Sequence, residues 1–340
     1  MVDVGIIGAS GFTGAELLRI AAHHPDYRVV YATGDSQAGV RAAELYPSLA
    51  AVYPDLVFEP FDIDRARRLE LAFLGLPHEA SMAMVPQLIG HVGCIVDLSA
   101  AYRLQDPSNY PVYYGFEHEQ LGLLADAVYG LPELHRSELE GAALIATPGC
   151  HVTTAVLALH PLVEAGLIER NGVMIDTMTG ITGAGRTPTN TNLFTSIDSN
   201  VEAYGFLTHR HTPEIEQELG AQVLFTPHLV PISRGLLATC HARPVAGAKI
   251  STESLLGLLR QRWADEPFVV VTGGSPSTKA TLGSNAVHVT ARYDERTGTV
   301  LAIAALDNLT KGASGGAVQS ANVALGLDET AGLAKIGIAP

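Results

Sequence analysis

Up to Cys150, short and nearly unbroken apolar runs alternate with stretches of helical periodicity. Val2–Ile7 is one such run, of the kind a parallel strand shows when both of its faces are covered. Gly8-Ala9-Ser10-Gly11-Phe12-Thr13-Gly14 follows at once, then a helical pattern to about His24. Tyr27–Thr33, Leu71–Leu76 and Cys94–Leu98 predict three more strands, the last two separated by a helix over Glu79–Ile89 that contains Pro86. Asp106–Leu139 loosens into turns and aromatics, and Ala142–Ala146 predicts a further strand ahead of a periodic segment, Val156–Ile168. Strand, helix and strand in this order predict a doubly wound parallel sheet.

Beyond Cys150 the strand signal dominates. Val173–Met178, Val223–Phe225, Leu236–Cys240, Phe268–Val271, Ala286–Tyr293 and Thr299–Leu306 read as strands, several of them alternating. Helices are predicted at Ser251–Trp263 and from Pro213, with Thr212 as cap. The pattern predicts a largely antiparallel sheet in a second, α+β domain. A last helix, Ala313–Leu325, opens on Ala313-Ser314-Gly315-Gly316-Ala317, which permits close backbone approach. It is expected to cross back and pack on the first sheet. The division is therefore residues 1–149 with 313–340 as a dinucleotide-binding domain, and 150–312 as a catalytic and oligomerisation domain.

Composition narrows the function more than the fold. A chain of 340 residues, 47% hydrophobic and 16% charged, is an ordinary globular protein long enough for two cores. Its net charge of −14 argues against nucleic acid or an anionic membrane as partner. An anionic substrate would need local arginines. All of the 21 basic residues except Lys249, Lys279, Lys311 and Lys335 are arginine, the better bidentate partner. Cys94, Cys150 and Cys240 suggest neither a disulfide framework nor a structural zinc site, which suits a reducing cytosol. Met1-Val2-Asp3-Val4 shows no basic leader, and each apolar stretch is broken early, so neither export nor a membrane span is expected.

Cys150 is the focus of the candidate chemistry. It follows Pro148-Gly149 at a strand-to-helix elbow, where the free amides of a first helical turn favour the thiolate, the nucleophilic form. A buried small hydrophobe is the commoner fate of a cysteine, so its companions decide. The amino-terminal glycine loop offers backbone amides to a dinucleotide pyrophosphate, through Gly8, Ser10, Gly11, Phe12, Thr13 and Gly14. Thr33 and Ser36 favour the 2′-phosphate of NADP and Asp35 the bare ribose of NAD, so this loop leaves the choice open. Pro77-His78 and Ser99 to Arg103 follow strand ends, where such sheets bind ligands. Arg103, Arg186 and Arg234 are candidates to hold the substrate's anionic groups, Arg186 at the end of a glycine-rich anion cradle. Asn308 is a candidate partner for a nicotinamide carboxamide. His209-Arg210-His211 lacks supporting ligand spacing, so no metal is predicted; a histidine acid/base serving a cysteine fits it better.

Gly8-x-x-Gly11-x-x-Gly14, Pro148-Gly149-Cys150, Gly183-Ala184-Gly185-Arg186, His209-Arg210-His211-Thr212-Pro213-Glu214, Pro231-Ile232-Ser233-Arg234-Gly235 and Asp307-Asn308-Leu309-Thr310-Lys311-Gly312, in that order, resemble the N-acetyl-γ-glutamyl-phosphate reductases. The resemblance implies a Rossmann-like α/β dinucleotide-binding domain plus an α+β catalytic domain of the glyceraldehyde-3-phosphate dehydrogenase type. It implies NADPH-dependent reduction of the acyl phosphate to a semialdehyde with release of phosphate, through a cysteine thioester, in arginine biosynthesis. By that likeness Cys150 matches the nucleophile and His209 the acid/base, in a cytoplasmic homodimer or homotetramer. His151 departs from the family, which often has an aromatic there, and Asp35 is unusual in a 2′-phosphate loop. Aspartate-semialdehyde dehydrogenases usually carry Asn just before the nucleophile, unlike Gly149. The carrier-protein-linked aminoadipyl-phosphate reductase of lysine biosynthesis has a similar elbow, but its acidic carrier matches a chain of charge −14 poorly. A non-catalytic dinucleotide-binding regulator would need neither Cys150 nor His209.

Overall fold

The first apolar run forms strand β1 (Val2–Ile7), and later runs form β2 (Tyr27–Ala32), β3 (Leu71–Leu74), β4 (Cys94–Asp97), β5 (Val128–Tyr129) and β6 (Leu144–Ala146). The computed structural model describes residues 1–338. All six strands pair in parallel, in the order β2-β1-β3-β4-β6-β5. β3 and β4 are buried at every position, which is why their sequences run apolar without alternation. Because β1 has β2 on one side and β3 on the other, the glycine loop leaving β1 emerges at the point where strand order reverses, the ligand-binding position of such sheets. The helix Phe12–Ala21 follows that loop.

These strands belong to a unit of Met1–Pro107, Glu117–Pro148 and Ala313–Leu333. Its last helix, Gly315–Ala324, is buried along nearly its whole length and packs on the helices Phe12–Ala21 and Pro132–Leu139. Small side chains allow that approach, and polar ones fix it. The Ser320 hydroxyl donates to Gly130 O at 3.0 Å, and Gln319 donates to Glu133 and Glu329. Asn322 Oδ1 accepts from the Tyr27 hydroxyl at 2.8 Å. The helix starts later than its sequence suggests, because Thr310–Ser314 winds as a wider, π-type turn. The stretch read as loose turns contains three short helices, Asn109–Tyr113, Leu121–Asp126 and Pro132–Leu139, too brief to establish a period.

The second unit contains Ser108–Phe116, Gly149–Gly312 and the described residues from Ala334. The sequence division placed Ser108–Phe116 and the end of the chain in the first domain. Hydrogen bonds explain the difference: the Tyr114 hydroxyl donates to Arg210 O, Asn285 N to Ala334 O and Ile338 N to Leu282 O. Ala339 and Pro340 lie outside the described residues. Strands β7 (Val173–Gly180), β8 (Glu202–Ala203), β9 (Val223–Val230), β10 (Leu236–Ala242), β11 (Val269–Val271), β12 (Val287–Asp294) and β13 (Thr299–Leu306) form one sheet, β11-β12-β13-β10-β7-β9-β8. Its pairs are mostly antiparallel, but β7 with β9 and β11 with β12 run parallel, so the sheet is mixed. The helix Cys150–Glu164 lies against β10, β12 and β13 and is buried almost all round. On the other face Met174, Met178 and Leu224 are 47%, 45% and 48% exposed. No helix among the described residues is long and apolar enough to cross a membrane.

Candidate active site

Cys150 is the first residue of its helix, and Gly149 precedes it in extended backbone with no side-chain cap. The first-turn amides therefore act on the thiol unopposed by a capping side chain. The Gly149 amide donates to Glu214 Oε1 at 2.9 Å, and Glu214 is wholly buried. Among the three cysteines only Cys150 is partly exposed. Burial pushes the Cys94 thiol up to about 12 and Cys240 higher still, aided by Asp176, so both stay protonated. Two glycines make room at the elbow. A Cβ on Gly312 would stand 2.8 Å from Cys150 Cβ, and one on Gly149 would lie 2.6 Å from His211 Cε1.

Three imidazoles gather here. His209 and His211 meet edge to face with centroids 4.8 Å apart, and His151 lies 5.6 Å from His209 and 5.4 Å from His211. Phe225 and Tyr204 close on His209 edge-on. Burial, with Arg210 adding to it, lowers His209 to about 4; burial and then His209 lower His151 to about 3. Both rings are neutral near pH 7. The His209 Nδ1 accepts from the His211 amide at 3.1 Å, which puts the hydrogen of neutral His209 on Nε2. One nitrogen of each ring lies within 4.8 Å of the others, a spacing open to a metal ion. However, both nitrogens of His151 already bond to hydroxyls, and His209 Nδ1 is engaged as well. An ion would have to displace these bonds, and the set does not fit a resident metal. The sequence pointed to His209 and marked His151 only as a departure from the family; His211 against the elbow and Glu214 were given no role of their own, although the spacing of His209-Arg210-His211-Thr212-Pro213-Glu214 sets these two one helical turn apart.

The three arginines stand in different settings. In the first unit buried Arg103 donates to Leu98 O at 3.0 Å, near Asp97, which accepts from Ser81 and Ser99. In the second unit Arg186 is half-buried at the end of the glycine turn. Arg234 bonds to Asp307 Oδ1 at 3.0 Å and to the Thr310 hydroxyl at 2.9 Å. It also borders a cavity of about 400 Å³ shared with Ser233, Thr278 and Lys279. Asn308 accepts from the Gly235 amide at 2.8 Å and donates to the Thr182 hydroxyl at 3.0 Å, so both ends of its amide tie the glycine turn to β10.

In the first unit the glycine loop is a cradle of bare backbone. Gly8 has φ +87°, and a Cβ there would run into the Gly75 carbonyl. One on Gly14 would meet Ala9 O at 2.5 Å. Gly11 begins the helix without a side-chain cap, leaving Phe12 and Thr13 in the first turn, where a pyrophosphate is held by amides. Tyr46 pins the loop by donating to Ser10 O. The Thr33 hydroxyl accepts from the Gly8 amide at 3.0 Å, so it shapes this loop from beneath, whereas Asp35 and Ser36 are exposed. Pro77 is exposed, and His78 Nδ1 accepts from the Ala100 amide at 3.0 Å. These residues fit a dinucleotide.

Known proteins resemble both units. The family model "Semialdehyde dehydrogenase, NAD binding domain" matches residues 3–142, and "Semialdehyde dehydrogenase, dimerisation domain" matches 150–308. The N-acetyl-gamma-glutamyl-phosphate reductase of Moorella thermoacetica is 43% identical over 100% of both chains. Among solved structures, aspartate semialdehyde dehydrogenase II of Vibrio cholerae aligns with TM-score 0.71 at 18% identity, covering 95% of this chain and 98% of that one. The Candida albicans enzyme with NADP aligns at 0.70 and 15%, covering 95% and 98%.

Proposed function

Because the chain belongs to the N-acetyl-γ-glutamyl-phosphate reductases, within the semialdehyde dehydrogenase family, we propose the following reaction and residue roles. The enzyme reduces N-acetyl-γ-glutamyl phosphate to the semialdehyde, using NADPH and releasing phosphate, in arginine biosynthesis. Cys150 as the one partly exposed cysteine, uncapped at a helix start beside neutral imidazoles, carries this reading. The Cys150 thiolate attacks the acyl carbon, the carbon–oxygen bond to phosphate breaks, and a thioester remains, which divides one hard step into two easier ones. Gly8, Ser10, Gly11, Phe12, Thr13 and Gly14 would hold NADPH, which would supply the hydride that reduces the thioester carbon; the carbon–sulfur bond then breaks, freeing the semialdehyde and returning the Cys150 thiolate. His209, neutral with hydrogen on Nε2, offers that hydrogen to the oxygen on which negative charge develops. Arg103, Arg186 and Arg234 include the groups that hold the substrate's carboxylate and phosphate. Full-length relatives named for the arginine-pathway reductase favour this reading over the carrier-linked one, and a regulator would have no use for Cys150.

The protein works in the cytoplasm as a homodimer or homotetramer, an assembly supported by the apolar outer face of its second sheet and by its match to a dimerisation domain. Cys150→Ser tests the chemistry. The variant keeps NADPH binding and loses phosphate-dependent oxidation of N-acetylglutamate semialdehyde; substantial turnover would remove Cys150 from the role. In the same assay an alanine variant at one or more of the three arginines raises KM, and three unchanged values would exclude them.

A further inference from the structure

Strand β4 ends on Asp97, which is wholly buried. Because β1, β3, β4 and β6 run parallel, this end lies on the same edge of the sheet as the glycine loop after β1, the edge where such folds bind ligands. The rest of β4, Cys94-Ile95-Val96, is apolar, and a buried carboxylate in its company is costly unless donors surround it. Here they do. Oδ1 accepts from the Ser81 hydroxyl at 2.6 Å and from the Ser99 amide at 3.0 Å, and Oδ2 accepts from the Ser99 hydroxyl at 2.7 Å. Burial pushes the Asp97 carboxyl up, while these donors and then the charge of Arg103 oppose the rise.

What Asp97 fixes is the turn 99–103, which belongs to no helix or strand. The Ser99 hydroxyl, whose hydrogen goes to Asp97, accepts from the Ala101 amide at 3.0 Å. His78 Nδ1 accepts from the Ala100 amide at 3.0 Å, His118 Nε2 donates to Ala101 O at 2.7 Å, and the Tyr102 hydroxyl donates to Met82 O at 3.2 Å. Side chains therefore hold three successive amides, those of Ser99, Ala100 and Ala101, which a regular element would have satisfied with backbone. At the end of the turn the buried Arg103 guanidinium folds back and donates to Leu98 O at 3.0 Å, so its place depends on the path of the chain between them. We propose that Asp97 is a positioning residue for substrate binding: through Ser99 it sets this turn, and with it the Arg103 guanidinium that meets an anionic group of the substrate. Asp97 itself touches no substrate. The inference rests on the role of Arg103 in the proposed function.

The test is phosphate-dependent oxidation of the semialdehyde, with KM measured for phosphate and for semialdehyde, beside a thermal melt. Asp97→Asn keeps the volume and removes the charge. One KM rises about tenfold, the scale of a hydrogen bond to a charged group, while kcat holds, as it does when binding alone is lost. Arg103→Ala raises the same KM, and the double variant shows no rise beyond that of Arg103→Ala, because both changes act through one contact. A rise for phosphate assigns Arg103 to the phosphate group and a rise for semialdehyde assigns it to the carboxylate; either supports the proposal. Ser99→Ala cuts the link from Asp97 to the Ala101 amide with little change in volume; it raises the same KM and carries the comparison should Asp97→Asn not fold. A purely structural role would lower Tm and leave both KM values at wild type, and that result, or rises that multiply in the double variant, would overturn the proposal. Arg103→Ala keeps the two failures apart. A raised KM there, with wild-type values in Asp97→Asn and Ser99→Ala, refutes the role of Asp97 alone, whereas wild-type values in Arg103→Ala remove Arg103 from substrate binding and this inference with it.

Discussion

Replacing Gly149 by alanine adds one methyl group at the elbow and separates catalytic geometry from folding. The backbone there has φ −68° and ψ 143°, which alanine adopts without strain. The added Cβ would stand 2.6 Å from His211 Cε1 and 2.8 Å from its Cδ2, where ordinary contact begins at 3.4 Å. The imidazole therefore retreats by about 1 Å, a misplacement that costs a well-oriented site on the order of 10²-fold in rate. His209 moves with it, since the two rings are in contact. Overpacking costs about 1–3 kcal/mol, and the stiffer unfolded chain offsets about 0.4–1 kcal/mol of that, so the protein still folds. The assay is phosphate-dependent oxidation of the semialdehyde, followed by NADPH absorbance, beside a thermal melt. Gly257→Ala is the control: it lies in the helix Thr252–Arg262 with nothing within 4 Å of an added Cβ, and its activity stays at wild type. Near-wild-type turnover in Gly149→Ala, with a normal melt, would refute the reasoning that the room Gly149 leaves for His211 sets the catalytic geometry.

Two further outcomes are expected. His151 and His209 are depressed to about 3 and about 4, so below the unfolded value of 6.5 the unfolded chain binds protons that the folded one refuses, and stability falls as pH drops from 6.5 toward 4; Tm measured across that window falls less steeply in His151→Gln, and parallel curves would exclude a buried neutral imidazole. Static light scattering at micromolar concentration returns a multiple of the 35.8 kDa chain mass, and Leu224→Glu on the exposed sheet face lowers it; a monomeric wild type would contradict the assembly.

Much of the first sheet was legible because its signal is local. Val2–Ile7 is apolar by itself, and the glycines after it are adjacent in sequence, so β1 and its loop needed no information from elsewhere. Thr299–Leu306 was found at its observed bounds for the same reason. The parallel pairing of β7 with β9 was not legible, since Pro227 and His228 interrupt the apolar run and register depends on partners far along the chain. That register assembles the nucleophile's surroundings. Thr177 pairs with Pro227, and the Tyr204 amide donates to Pro227 O at 3.0 Å. One proline thus brings together two hydroxyls that flank His151, though they lie 26 and 53 residues from it in sequence.

Residue chemistry alone did not announce the structural partners of the candidate ligand contacts. Arg234 and Asn308, candidates to meet an anionic group and a carboxamide, also hold the fold together. In the fold Arg234 balances the buried Asp307 carboxylate, which also accepts amides from Gly283, Leu309 and Thr310, while both ends of Asn308 join neighbouring turns. A buried aspartate next to β13 would be costly without these partners, a demand that no local pattern announces. The converse holds at the elbow, where two residues without side chains matter as much as those that react. Gly312 lets the turn after β13 reach Cys150, and Gly149 lets His211 lie against the backbone just before it. A reading that looks for nucleophiles and bases finds Cys150 and His209, but passes over the absent methyl groups that allow these side chains to meet.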